Sequence, residues 1–141
     1  MTTSGAGAGT LTTVPLTAGT SSSRISQNVF VNINATHSPT ASVMVELLDA
    51  AGSVLKTSHK MAGVDATRLL VPWSSETIAT TQDQALAWAR GDVRLRFTLE
   101  DGAHLYSFWV SDEASCGASR GPVAAGGGAF TSGWDTHGAC V

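Results

Sequence analysis

Hydrophobic and polar residues alternate with a period of two along several stretches of the chain, as they do in strands buried on one face. Val29, Val31 and Ile33 fall on one side of a stretch whose other side carries Asn28, Phe30, Asn32 and Asn34. Val43, Val45 and Leu47 alternate with Ser42, Met44 and Glu46, and Val54-Leu55-Lys56 resumes the pattern after Asp49-Ala50-Ala51-Gly52. Those four residues favour a turn, so a hairpin is expected, with Glu46 on its solvated face. In the most regular stretch Val93, Leu95, Phe97 and Leu99 alternate with Arg94, Arg96 and Thr98. Asp101-Gly102 then reads as a hairpin turn, and Leu105 to Val110 as the returning strand. There Tyr106, Phe108 and Val110 share one face, Ser107 and Trp109 take the other, and one set must lie outside. Leu11 to Leu16 and Thr67 to Trp73 complete the expected strands, the second stopped by Pro72, which has no N–H to give to a ladder.

The remaining segments are less regular. Ser75 to Arg90 is Thr-rich at its start and reads as a short helical turn or an irregular crossover. Ser111 to Val141 is Gly-rich, with Val123, Phe130 and Trp134 as its apolar anchors, and is expected to wrap over the rest. Short strands joined by Gly- and Pro-bearing turns predict an all-β, two-sheet antiparallel sandwich of the jelly-roll or concanavalin-like kind. Residues 1–8, made mostly of Gly, Ala, Ser and Thr, read as a flexible linker, and residues 9–141 as a single sandwich domain.

The order of the segments carries a family resemblance. GTLTTVPLT (Gly9 to Thr17), NVFVNINAT (Asn28 to Thr36), VMVELLDAAGSVL (Val43 to Leu55), DATRLLVPW (Asp65 to Trp73) and ALAWARGDVRLRFTLEDGAHLYSFWVS (Ala85 to Ser111) follow one another. This succession resembles the C-terminal β-sandwich appended to propeller glycoside hydrolases of the family 32 type and to related sialidase-like proteins. The closing CGASRGPVAAGGGAF is similar to the ending of some of those chains. The resemblance implies a two-sheet sandwich and a catalytic propeller as a partner. It implies no activity for this chain, because the catalytic carboxylates of that family lie in the propeller. Trp88-Ala89-Arg90 replaces a small turn of the pattern, Trp134 replaces a smaller residue, and Cys116 and Cys140 lie outside it.

Composition narrows the partners. Charged residues make up 13% of the chain, about half the usual fraction of roughly 25%. With a net charge of −3 and eight Lys and Arg spread along the chain, no basic stripe exists to track a phosphate backbone, and no nucleic-acid partner is expected. No apolar run has the length of a membrane span, and no stretch reads as a signal peptide. A weakly charged polar surface suits a neutral partner such as carbohydrate. Cys116 and Cys140 bracket a Gly- and Ser-rich segment. A disulfide between them would close a loop of about 25 residues and contribute on the order of 3 kcal/mol, pointing to secretion. Two unconnected thiols are the alternative. Asn34-Ala35-Thr36 matches the N-glycosylation acceptor pattern, a triplet that also arises by chance.

The chemistry of catalysis is thinly represented. None of His37, His59, His104 and His137 stands in a nucleophile motif, and His104 falls where a solvated turn is expected. Glu46, Asp49, Asp65, Glu100, Asp101, Asp112 and Glu113 are carboxylates, but most sit at expected turns, where Asp bonds its own backbone. No cofactor is expected. Asp112, Glu113 and Asp135 are weak candidates for structural calcium, since that ion takes flexible carboxylate oxygens. What remains is a surplus of aromatics. Trp88, Trp109 and Trp134 are candidate stacking platforms for a sugar ring, with Arg94, Arg96 and Asn32 as polar partners and a cation–π contact expected between Trp109 and Arg94 or Arg96. Packing into the core is the alternative for each Trp. The sequence therefore predicts a non-catalytic carbohydrate-associated module, or a structural domain that packs on a propeller or on a second copy of itself.

Overall fold

The period-two pattern becomes two layers because each alternating strand must bury its apolar side against another sheet. The computed structural model describes residues 7–16, 28–74, 93–111 and 123–125. Among the described residues nine strands run in chain order: β1 (Ala8–Thr12), β2 (Asn28–Asn34), β3 (Ser42–Leu48), β4 (Val54–Thr57), β5 (Met61–Ala62), β6 (Asp65–Leu70), β7 (Arg94–Glu100), β8 (His104–Ser111) and β9 (Val123–Ala125). One sheet has the order β1-β7-β3-β4, with the short β5 also on β3, and the other has β6-β2-β8-β9. All pairings are antiparallel. The protein is an all-β two-sheet antiparallel sandwich, as the alternation predicts.

The core lies between the central pairs of the two sheets. Val29, Val31 and Ile33 from β2 and Leu105, Phe108 and Val110 from β8 meet Val43, Val45 and Leu47 from β3 and Leu95, Phe97 and Leu99 from β7. Phe97 and Phe108 touch across the layers, with ring centroids 5.0 Å apart. The strand limits differ in places from the sequence reading. β1 begins at Ala8, inside the expected linker, and Leu16 makes only an isolated bridge to Val93. β6 starts at Asp65 and ends at Leu70, and Trp73 beyond Pro72 bridges Ser58. The tail contributes β9, paired with β8.

Asp101-Gly102 forms a tight turn, with positive φ at both residues (50° and 85°), closed by the Ala103 N–H on the Glu100 carbonyl at 3.1 Å. It does not close a hairpin. β7 and β8 lie in different sheets, so this turn carries the chain across the sandwich and drops Ala103 into the core. Gly102 is required here twice over, because its φ excludes most side chains and a Cβ would come within 2.8 Å of the His37 ring. The Asp49 turn is the expected hairpin: its Oδ1 accepts from the N–H groups of Ala51 and Ser53, and β3 pairs with β4.

Two details protect the sheet carrying β4. Lys56 stands opposite Leu47 and so takes the inner side of this edge strand. Its ammonium lies 5.1 Å from the Trp73 ring, and burial pushes its pKa below the ordinary lysine value. An inward lysine of this kind discourages edge-to-edge pairing. Where β4 ends, Ser58 continues the ladder with a side chain: its Oγ accepts the Val45 N–H at 2.9 Å and donates to the His59 carbonyl at 2.9 Å. Ser58→Ala leaves the Val45 N–H without that partner in a buried position. Urea denaturation is expected to show a loss of about 1–3 kcal/mol with an unchanged m-value.

Glu100 bonds Lys60 Nζ at 2.7 Å and the Ser42 hydroxyl at 3.1 Å. The Lys60 contact first, then Ser42, hold its carboxyl below the ordinary glutamate range. Its contribution is complete above the unfolded value of about 4.3 and is lost as pH falls through the lower folded value. Both side chains are partly solvated, so the contribution is small and salt-sensitive. Thermal melts of wild type and Glu100→Gln are expected to differ above about pH 4.3 and to converge as pH falls toward the folded value.

Candidate functional site

The outer face of the β6-β2-β8-β9 sheet gathers the chain's asparagines with the rings of Phe30, Trp109 and Tyr106, of which Tyr106 is exposed. β2 is a central strand, and its core-facing Val29, Val31 and Ile33 force Asn28, Phe30, Asn32 and Asn34 outward. Asn28, Asn32 and Asn34 are all the asparagines of the sequence. Phe30 pairs with Leu70 on β6 and with Trp109 on β8, which makes an apolar row across three strands. The Phe30 and Trp109 rings are stacked, 5.6 Å apart and 10° from parallel. Phe30 thus covers one face of the indole and is itself only 4% exposed.

A pair of β-bulges sets the next row. Asn32 pairs with Ser107 while Ile33 pairs with Leu105, so Tyr106 and Ser107 together oppose Asn32. On the other side Val31 pairs with Leu69 and Ile33 with Ala66, so Thr67 and Arg68 together oppose it. The extra residue on β8 changes the alternation. Leu105, Phe108 and Val110 point inward, and Tyr106 turns out to solvent at 58% exposure. Strict alternation had put Tyr106 with Phe108 and Val110, and a single inserted residue separates them. An open cleft of about 600 Å³ lies along Asp65, Ala66, Thr67 and Arg68.

The third row is Asn34, flanked by Asp65 on β6 and His104 on β8. His104 is half-buried rather than solvated in a turn. It stacks on Tyr106 at 5.9 Å and meets the edge of His37 at 6.3 Å. One face of the Tyr106 ring therefore rests on His104. The result is an apolar row, an amide-rich row and an imidazole row, side by side on one sheet.

The structure brings Trp109 and Asn32 onto this face and separates Arg94 and Arg96 from it. Both arginines lie on β7 in the opposite sheet, with the core in between, so the expected cation–π contact with Trp109 does not form. Arg96 instead stands directly opposite Glu46 on β3, with Nε and Nη2 bonding the two carboxylate oxygens at 3.0 and 2.8 Å. The Glu46 side chain is 13% exposed, not solvated as the alternation suggested. The hydrogen bond to Glu46, opposed by burial, raises the Arg96 pKa. Trp88, Trp134, the calcium candidates Asp112, Glu113 and Asp135, and the cysteines Cys116 and Cys140 lie outside the described residues, as does the Ser75 to Arg90 crossover.

The carboxylates weighed for glycoside chemistry are otherwise placed. Asp49 closes a hairpin, Glu100 holds Lys60, and Asp101 accepts the Gly7 N–H at 3.0 Å. Thr40 first, then Gly7, lower the Asp101 pKa. Among the described residues no three His, Cys, Asp or Glu side chains gather where they could hold a metal ion. Nor is any helix among them long and apolar enough to cross a membrane. No family of known proteins, curated sequence or solved structure matches the chain.

The two aromatics of β8 differ in structural weight. Trp109→Ala removes a ring packed on Phe30 and is expected to lower stability by about 0.5–1.5 kcal/mol through the lost pair alone, with lost apolar burial added. Tyr106→Ala is expected to stay within about 0.5 kcal/mol of wild type, because most of its ring is in water. Chemical denaturation of both variants checks the difference.

Proposed function

We propose that this chain is a non-catalytic carbohydrate-binding module that takes a neutral glycan on the outer face of the β6-β2-β8-β9 sheet. The observation that carries the reading is the Asn32 row, in which the bulge turns Tyr106 outward beside an amide on the central strand. The apolar face of a pyranose packs on an aromatic ring, while its hydroxyls need fixed donors and acceptors at the rim. Tyr106 offers the ring face that His104 does not cover, Trp109 supplies an apolar border, and the Asn32 amide provides both a donor and an acceptor. An amide binds a hydroxyl without the desolvation cost of a charge, which matches a chain with only 13% charged residues.

A glycan array followed by calorimetry on the ligands found is the test. Tyr106→Ala is expected to weaken binding about tenfold or more, equivalent to about 1.4 kcal/mol, in a protein that stays folded. Asn32→Ala is expected to weaken it by a similar amount. Silence across the array with folded protein, or unchanged affinity in both variants, would sink the reading.

A second reading is favoured by a different observation. Leu11 pairs with the core residue Phe97 at the edge of its sheet yet is 40% exposed, and Val14 just beyond is 75% exposed. An open apolar edge of this kind suits packing on another body, either a second copy or a catalytic propeller of the kind to which sandwiches resembling this chain are appended. Light scattering over a range of concentrations separates self-association from a monomer, and Val14→Ser should abolish any dimer built on this edge.

A further inference from the structure

The acceptor triplet Asn34-Ala35-Thr36 lies at the end of β2, where the chain leaves the sheet. Asn34 sits between Ile33 and Ala35, both fully buried, so its side chain leaves the core on the outer face. Its Oδ1 accepts two hydrogen bonds from Thr36, one from the backbone N–H at 3.0 Å and one from the hydroxyl at 2.6 Å. A backbone N–H can only donate, so the atom it meets must be the amide oxygen, which fixes the orientation of the side chain. Nδ2 is left out of both bonds. Thr36 is exposed, and Asn34 is half-buried.

From this arrangement we infer that Asn34 is an acceptor for an N-linked oligosaccharide. Asn34 supplies the amide nitrogen and Thr36 the hydroxyl two residues on that together define the acceptor triplet, and both side chains meet at Oδ1 with Nδ2 left over. The donor is an oligosaccharide carried on a polyprenyl diphosphate. Nδ2 forms the bond to the anomeric carbon, the bond from that carbon to the diphosphate oxygen breaks, and the lipid diphosphate leaves with the electron pair. One amide proton goes to the base of the transferase. A bond formed at Nδ2 leaves both hydrogen bonds on Oδ1 in place. Asn34 lies two residues along β2 from Asn32, about 7 Å, so the attached glycan flanks the aromatic face. The inference stands whether or not that face binds sugar.

The test is secretion of the full chain from a eukaryotic cell behind a cleavable leader. A mass increase that peptide N-glycosidase removes is expected in wild type and in Thr36→Ser, with complete loss in Thr36→Ala and in Asn34→Gln. Peptide mapping of the wild-type chain locates the site without any variant, since enzymatic release converts a glycosylated Asn34 to Asp. Secreted, folded protein of unmodified mass overturns the inference, and so does a mass increase that maps to another residue.

Discussion

The burial of one apolar layer between the β2–β8 and β3–β7 pairs is the constraint on which the rest of this structure depends. Val29, Val31, Ile33 and Phe108 on one side and Val43, Val45, Leu95 and Phe97 on the other are almost entirely removed from water. Each of these four strands is central in its sheet, so its side-chain parity is fixed by the core and cannot slip by one residue without exposing the whole set. Most of what stands on the two outer faces follows from that parity. Glu46 meets Arg96 because Val45 and Phe97 are paired inward. Asn32 and Trp109 reach the same outer face because Val31 and Phe108 are paired inward.

Departures from strict parity carry the functional interest. The bulges flanking Asn32 disturb both neighbours of β2 at one level, and they do so on the face away from the core. Bulges re-aim side chains and are concentrated near sites. Here the effect is to free Tyr106 from the core while Leu105 and Phe108 stay in it. The stacked Phe30–Trp109 pair gives the adjacent row rigidity, so a ligand resting on Tyr106 would meet a fixed border rather than a mobile ring.

The two outer faces are chemically unlike. The β7–β3 face is tied by charge: a bidentate Arg96–Glu46 pair and, at the far end of the strands, Lys60, Glu100 and Ser42. The β2–β8 face has aromatic rings and amides along its central strands, with the charges of Asp65 and Arg68 out on β6. Neutral groups suit reversible contact with neutral hydroxyls, whereas a charge pair already satisfied by its neighbour offers an incoming ligand little. This asymmetry, rather than any single residue, separates the candidate binding face from the face that holds the sheet together.

Alternation alone was enough to determine the strands of β2, β3, β7 and β8 and which residues of β2, β3 and β7 share a face, because side-chain direction in a strand is a local property with a period of two; in β8 it left open which set faces the core. It also determined the Asp49 hairpin and the tight turn at Asp101-Gly102, since turn chemistry is local too. Only the tertiary structure decided that Asp101-Gly102 joins two sheets instead of two neighbours, because sheet membership depends on which distant strand competes for the ladder. The same competition put Arg94 and Arg96 on the far side of the core from Trp109, and paired Arg96 with a glutamate fifty positions away in sequence. Tyr106 was illegible for a different reason. A bulge is a mismatch in length between two paired strands, and neither strand carries that information by itself.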